Sequence, residues 1–235
     1  MPAERLLSIA RDIDWVGNAR QFVNTGDLAN RATRASQLLA IWAKQLETAD
    51  SGNRALPFMR EAQVELQYSA VLLSIGFYKP AASCMRTMVE SVFYYTYFRT
   101  HVVELDTLLR NPSFFIDKAF VLDFHRKHTS GFPQKAQSLG LLSRLEDWYG
   151  TVSAVIHGQV PGEWVTHRRL NEIAFDHRVS TTAVQTLEQG VQIAHRILLC
   201  SIDLERWQKF TVHSQRRLLR SLTPEARAVL TLPPS

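Results

Sequence analysis

The stretch Pro80-Ala81-Ala82-Ser83-Cys84-Met85-Arg86-Thr87-Met88-Val89-Glu90-Ser91-Val92-Phe93-Tyr94-Tyr95-Thr96-Tyr97-Phe98 is apolar on nearly every side of a helix. A helix that is apolar all round is buried at the centre of a fold rather than laid on its surface. Its charges Arg86 and Glu90 stand four apart and share a face. Burying either charge alone would cost several kcal/mol, so each needs a partner if it points inward. Two readings follow. The pair is a structural ion bridge on the core helix, or Arg86 contacts a phosphate or other anion while Glu90 holds it in place.

Outward from this helix the same signature repeats, and strand signals are nearly absent. Leu6, Leu7, Ile9, Ala10, Ile13 and Val16 predict a first helix. Leu28, Ala32, Ala35, Leu38, Leu39, Ile41 and Trp42 predict a second after the turn Asn24-Thr25-Gly26-Asp27. Pro57 fits the first turn of a third helix, which Gly76 stops. Asn111-Pro112 and Gly131-Phe132-Pro133 bracket a segment from Phe114 to His128, with Phe115, Ala119, Phe120, Leu122 and Phe124 as its expected packing face. A helix from about Lys135 to His157 follows, with Gly140 as a candidate break. The pattern lapses over about 158–179, where Gly158, Pro161 and Gly162 supply turn chemistry and Ile173-Ala174-Phe175 reads as a short extended piece. Ser180-Thr181-Thr182 then caps a long final helix reaching Trp207. The fold class is all-α, divided into an N-terminal helical segment (1–50), a helical core (55–210) and a basic C-terminal tail (211–235).

Composition bounds the function classes. The chain has 235 residues, 46% of them hydrophobic, enough for a full core without staples. Cys84 and Cys200 lie inside apolar helical patterns rather than in CxxC spacing, which suggests buried thiols in a reducing compartment. No apolar run reaches signal-peptide or membrane-span length, so a cytoplasmic protein with no membrane partner is expected. Of the net charge of +5, residues 205–235 hold +4: six bases (Arg206, Lys209, Arg216, Arg217, Arg220, Arg227) against two acids (Glu205, Glu225). Such an end is either a solvated helical face or a phosphate contact, and Arg216, Arg217 and Arg220 are its candidate nucleic-acid ligands. A Gly-rich phosphate loop, a GxSxG elbow, HExxH and paired-cysteine zinc spacing are all missing. No metal and no cofactor is expected.

The second informative stretch is Trp148-Tyr149-Gly150-Thr151-Val152-Ser153-Ala154-Val155-Ile156-His157-Gly158. Tyr149, Ser153 and His157 recur every four residues, a drift of only about 40° per step, and so share one helix face. His157 reads either as an acid–base residue, a role that suits histidine as a residue type, or as a helix-terminal histidine that interacts with the last carbonyls. No acid stands at a spacing that would orient its imidazole as in a nucleophilic triad. The loop that follows carries Trp164, His167, Arg168, Arg169, His177 and Arg178, and is the candidate functional loop. The clusters His125-Arg126-Lys127-His128 and His167-Arg168-Arg169 read as solvated surface or as the rim of a basic groove. Arg206 and His213 would share a face if the final helix continued that far.

These residues together resemble the HEPN superfamily of prokaryotic all-helical domains. Three pieces carry the resemblance: Ala82…Arg86…Glu90 on a central helix, Tyr149…Ser153…Ile156-His157-Gly158 ending a later one, and a long closing helix after a loop. They span roughly residues 55–210. The resemblance implies an up-and-down helical bundle, a homodimer, and metal-independent RNA cleavage within a toxin–antitoxin or antiphage system, with a protein partner from a neighbouring gene. Active members carry an arginine separated from the histidine by four to six intervening residues. Here that arginine would fall at Gly150, Thr151 or Val152, and none is arginine. On this reading His157 is the acid–base residue, with Arg86, Ser153, Tyr149 and Glu90 around it. The charge of the phosphorane would fall to Arg86, to an arginine of the 167–178 loop or to a partner subunit. The missing arginine equally suits a non-catalytic module that binds RNA, a nucleotide or a protein.

Overall fold

A computed structural model describes residues 2–232. Among them every regular element is helical, and no strand forms. The helices are α1 (Pro2–Asp12), α2 (Trp15–Asn24), α3 (Leu28–Ala49), α4 (Leu56–Ser74), α5 (Tyr78–Phe98), α6 (Val102–Arg110), α7 (Lys118–His128), α8 (Phe132–Ser138), α9 (Leu141–Ile156), α10 (His177–Ser201), α11 (Leu204–Gln208), α12 (Val212–Leu219) and α13 (Pro224–Leu230).

The central place expected for the 80–98 stretch holds. Helix α5 packs on α4, α10, α9 and α7, and Met85, Met88, Val89, Val92 and Phe93 along it are buried. Individual contacts fix helix directions. Arg86 meets Ser153 and Tyr149 meets Glu90, so α5 and α9 run antiparallel. Ser69 meets Ala81 at the short α4–α5 connection, which makes these two an antiparallel hairpin. Tyr78 meets Ser180, while Met88 approaches Gly190, so α5 and α10 run parallel. Arg31 pairs with Glu188 and Trp42 with His195, which sets α3 parallel to α10 as well. Three helices thus run one way and two the other around one contiguous core.

Several expected boundaries move, each for a local reason. The first helix is two: Asp14 accepts a hydrogen bond from the Gly17 amide at 2.8 Å and restarts the chain as α2. Helix α7 starts at Lys118, capped by Asp117, and its packing face is Val121, Leu122 and His125. The expected Phe115, Ala119 and Phe120 are exposed instead, because the segment before Asp117 is not helical and the face rotates. Gly140 does break its helix, at φ +57°, a left-handed value that favours glycine. The final helix begins at His177 with Asp176 as cap, so Ser180 lies inside it. It stops at Ser201, where Ile202 turns extended and Asp203 caps α11. The short piece Ile173–Phe175 is held by Asn18, whose Oδ1 accepts from the Phe175 amide at 2.9 Å and whose Nδ2 donates to the Ile173 carbonyl at 3.3 Å. No described helix is long and apolar enough to cross a membrane.

Candidate functional site between α5 and α9

Antiparallel pairing lays the Tyr149–Ser153 face of α9 along the Arg86–Glu90 face of α5. The Arg86 Nε donates to Glu90 Oε1 at 2.9 Å, and its Nη1 reaches Ser153 Oγ at 3.5 Å. The Tyr149 hydroxyl donates to the same Glu90 oxygen at 2.5 Å. The Arg86 guanidinium also lies 4.6 Å from the centroid of the Tyr149 ring, a cation–π distance. A second cation, Lys118 at the start of α7, approaches that ring to 4.4 Å. Sequence reasoning brought four of these residues together; Lys118 it missed, because nothing local ties α7 to α9.

The cluster borders a cleft of about 340 Å³ walled by Phe93, Tyr94, Ile116 and Asp117. Arg86 and Glu90 are 28% and 36% exposed, so the pair sits at the cleft wall within reach of solvent. Burial is the largest single influence on Arg86 and opposes its charge, but the Glu90 bond, the Glu90 charge and Tyr149 together outweigh it, and the guanidinium pKa ends above its ordinary value. Burial and the Glu90 carboxylate push the Tyr149 phenol well above its ordinary pKa, which keeps it a donor. Among the described residues Ser153 has no imidazole or carboxylate to take its proton, so none of them activates it as a nucleophile. The arrangement can hold an anion; its carboxylate is already committed to Arg86 and Tyr149.

His157 does not meet Arg86. It is the exposed C-cap of α9, and its amide donates to the Ser153 carbonyl at 2.9 Å. Gly158, at φ +69°, donates to Val155 O, and Gln159 donates to Ala154 O. These two bonds form a Schellman stop, which accounts for the His-Gly pair structurally.

The basic candidates lie elsewhere. Arg168 and Arg169 are exposed in the 158–176 loop, where their amides donate to Glu172 Oε2. Arg216, Arg217 and Arg220 are exposed on and just past α12; Arg216 and Arg220 line a cleft with Arg227 of α13. Arg206 and His213 do not share a helix, since α11 ends before α12 begins. Arg206 instead bridges Asp50 and Asp203, each at 2.6 Å, and Lys209 pairs with Glu205 at 2.9 Å.

Two histidines are buried that the sequence did not place in the core. His125, assigned above to a surface cluster, is 2% exposed, with Nε2 on Thr96 Oγ1 and Nδ1 on Thr129 Oγ1 at 3.0 and 2.8 Å. Burial, with Arg99 and His101 nearby, brings its pKa down to about 4. His195 is fully enclosed; its Nδ1 accepts from the Trp42 indole at 2.8 Å. Its Nε2 faces the Leu218 carbonyl without a hydrogen bond of good geometry, and burial, with Arg196 nearby, brings its pKa down to about 3. Their signal was positional: His125 falls four after Val121, and His195 four after Val191, on buried faces. Cys84 and Cys200 are free thiols, both pushed by burial to a pKa of about 12. No group of three or more histidines, cysteines or carboxylates among the described residues could hold a metal ion. No family model matches the chain, and neither a curated protein nor a solved structure does.

Proposed function

We propose that this chain is a HEPN-like, RNA-directed protein whose α5–α9 cleft grips a backbone phosphate through Arg86, with Lys118 beside it. The observation that carries the reading is the fixed guanidinium: Glu90 takes the Arg86 Nε, and Tyr149 and Ser153 support the same side chain. An arginine oriented by its own carboxylate is pre-organised for the planar, two-pronged contact that phosphate offers. The exposed Arg216, Arg217 and Arg220 would extend the binding surface by charge alone. The same reading puts the protein in the cytoplasm of a prokaryote, as a homodimer in a toxin–antitoxin or defence system with a partner from a neighbouring gene.

Ribonuclease activity is a second reading, favoured by the exposure of His157 at the end of the Tyr149–Ser153 face. The binding module is preferred, because Arg86 and His157 are not in contact and no carboxylate among the described residues orients the imidazole. Fluorescence anisotropy with single-stranded RNA across a salt series tests the lead reading. Each lost phosphate contact lowers the slope of log K against log salt by about 0.7. Arg86→Ala is expected to weaken binding and lower that slope; binding equal to wild type would overturn the proposal. Metal-free RNA cleavage that His157→Ala abolishes would establish the second reading instead.

A further inference from the structure

A second cleft, of about 500 Å³, opens on the other side of α9, between it and α10. Arg196 of α10 is half-buried at its wall, and its guanidinium has no carboxylate, carbonyl or hydroxyl partner among the described residues. The charged group acting on it most strongly is another cation, Arg144 of α9, which lines the same cleft. Burial and this like charge together hold Arg196 below the ordinary guanidinium pKa. The acids present do not neutralise the pair. Glu188 is committed to Arg31 through three hydrogen bonds of 2.5–3.2 Å, and Asp147 makes no ion pair among the described residues. A guanidinium drawn half out of water beside a like charge, with no carboxylate bonded to it, is costly unless an anion completes it. Gln185, Gln189 and Gln192 line the cleft from α10, and each amide can both donate and accept.

We propose that this cleft is a phosphoryl-binding site, in which Arg144 and Arg196 clamp the phosphate and the three glutamines meet the polar edge of the nucleoside that carries it. The guanidinium fork matches phosphate oxygens in pairs, and the volume is that of a small-ligand pocket. The site is separate from the α5–α9 cluster, since Tyr149 and Ser153 turn toward α5 while Arg144 and Thr151 turn toward α10.

Isothermal titration of the purified chain with adenosine monophosphate, adenosine, and an oligoribonucleotide with either a 5′-phosphate or a 5′-hydroxyl tests the site. Expected is binding of the phosphorylated ligands and none of adenosine. Binding of the mononucleotide assigns a free nucleotide as the source; tighter binding of the 5′-phosphate than of the 5′-hydroxyl oligonucleotide, by a margin that Arg144→Gln removes, assigns an RNA end, and either upholds the site. Arg144→Gln and Arg196→Gln should each weaken binding by about tenfold or more, as expected for losing a charge-assisted contact. Arg144 is exposed, so its variant keeps the fold, which far-UV circular dichroism checks. No binding of any phosphorylated ligand, equal binding of adenosine, or wild-type affinity in Arg144→Gln would overturn the proposal.

Discussion

Acid should unfold this protein well above the pH at which most carboxylates protonate, because His125 and His195 are folded in as neutral groups. Their pKa values in the fold are about 4 and about 3, against about 6.5 in an unfolded chain. Below pH 6.5 the unfolded chain therefore takes up two protons that the native state refuses. The stability these groups confer is present above pH 6.5 and lost as pH falls toward 4 and 3. Each contributes a slope approaching about 1.4 kcal/mol per pH unit, so at pH 5 the two together remove roughly 4 kcal/mol. That is a large share of the 5–15 kcal/mol typical of a domain. Urea unfolding followed by circular dichroism at intervals from pH 7.5 to 5 reads the loss directly. His125→Asn and His195→Asn will each lower stability at every pH, since both sites are packed. The diagnostic is the slope, which each variant should roughly halve. A stability that stays flat between pH 7.5 and 5, or single variants with the wild-type slope, would refute the reasoning.

Three further outcomes follow from packing and charge. Arg206→Ala leaves Asp50, whose side chain is 5% exposed, with only the Tyr95 hydroxyl at 2.9 Å, and should cost about 3–5 kcal/mol in urea unfolding; a loss under about 1 kcal/mol would count against the bridge. Gly190→Ala puts a methyl 2.7 Å from Cζ2 of Trp148, and overpacking of about 1–3 kcal/mol should outweigh the better helix propensity of alanine, so that the melting temperature falls rather than rises. Tyr149→Phe removes the donor to Glu90 and should cost about 1 kcal/mol while weakening RNA binding less than Arg86→Ala does; an RNA affinity lost equally in both would make the phenol itself a ligand.

The central helix was legible because no other element offers an apolar circumference like that of 80–98. The Arg86–Glu90 pair and the Tyr149–Ser153 face were legible because four-residue spacing on a helix is a geometric fact wherever the helix lies. That the two faces meet follows from the antiparallel setting of α5 and α9, which no local spacing encodes. The breaks at Asp14 and at Ile202–Asp203 were missed for another reason. Apolar periodicity resumes in phase after each, and only the capping aspartates Asp14 and Asp203 mark the interruption. Helix α6 was passed over because its nine residues lie between stronger signals. His125 and Arg206 were read by residue type as surface groups, whereas Thr96, Thr129, Asp50 and Asp203 satisfy them inside.

The parallel setting of α3, α5 and α10 has a consequence for the order of assembly. The α4–α5 hairpin closes over a short stretch, its Ser69–Ala81 contact spanning 12 residues. The contacts that seat α10 on α3 span 153 and 157 residues, so the chain must fix them against a much larger loop entropy. A nascent chain that has not yet released α10 from the ribosome therefore carries a formed hairpin with one apolar flank of α5 bare, the state in which such a protein is most open to aggregation or to capture by a chaperone. Pulsed hydrogen exchange should find α4 and α5 amides protected before those of α10, and simultaneous protection would show that the bundle condenses as one unit. The α9–α10 cleft takes one wall from α10 and does not exist until that helix has docked, whereas the α5–α9 cleft needs only α5, α7 and α9.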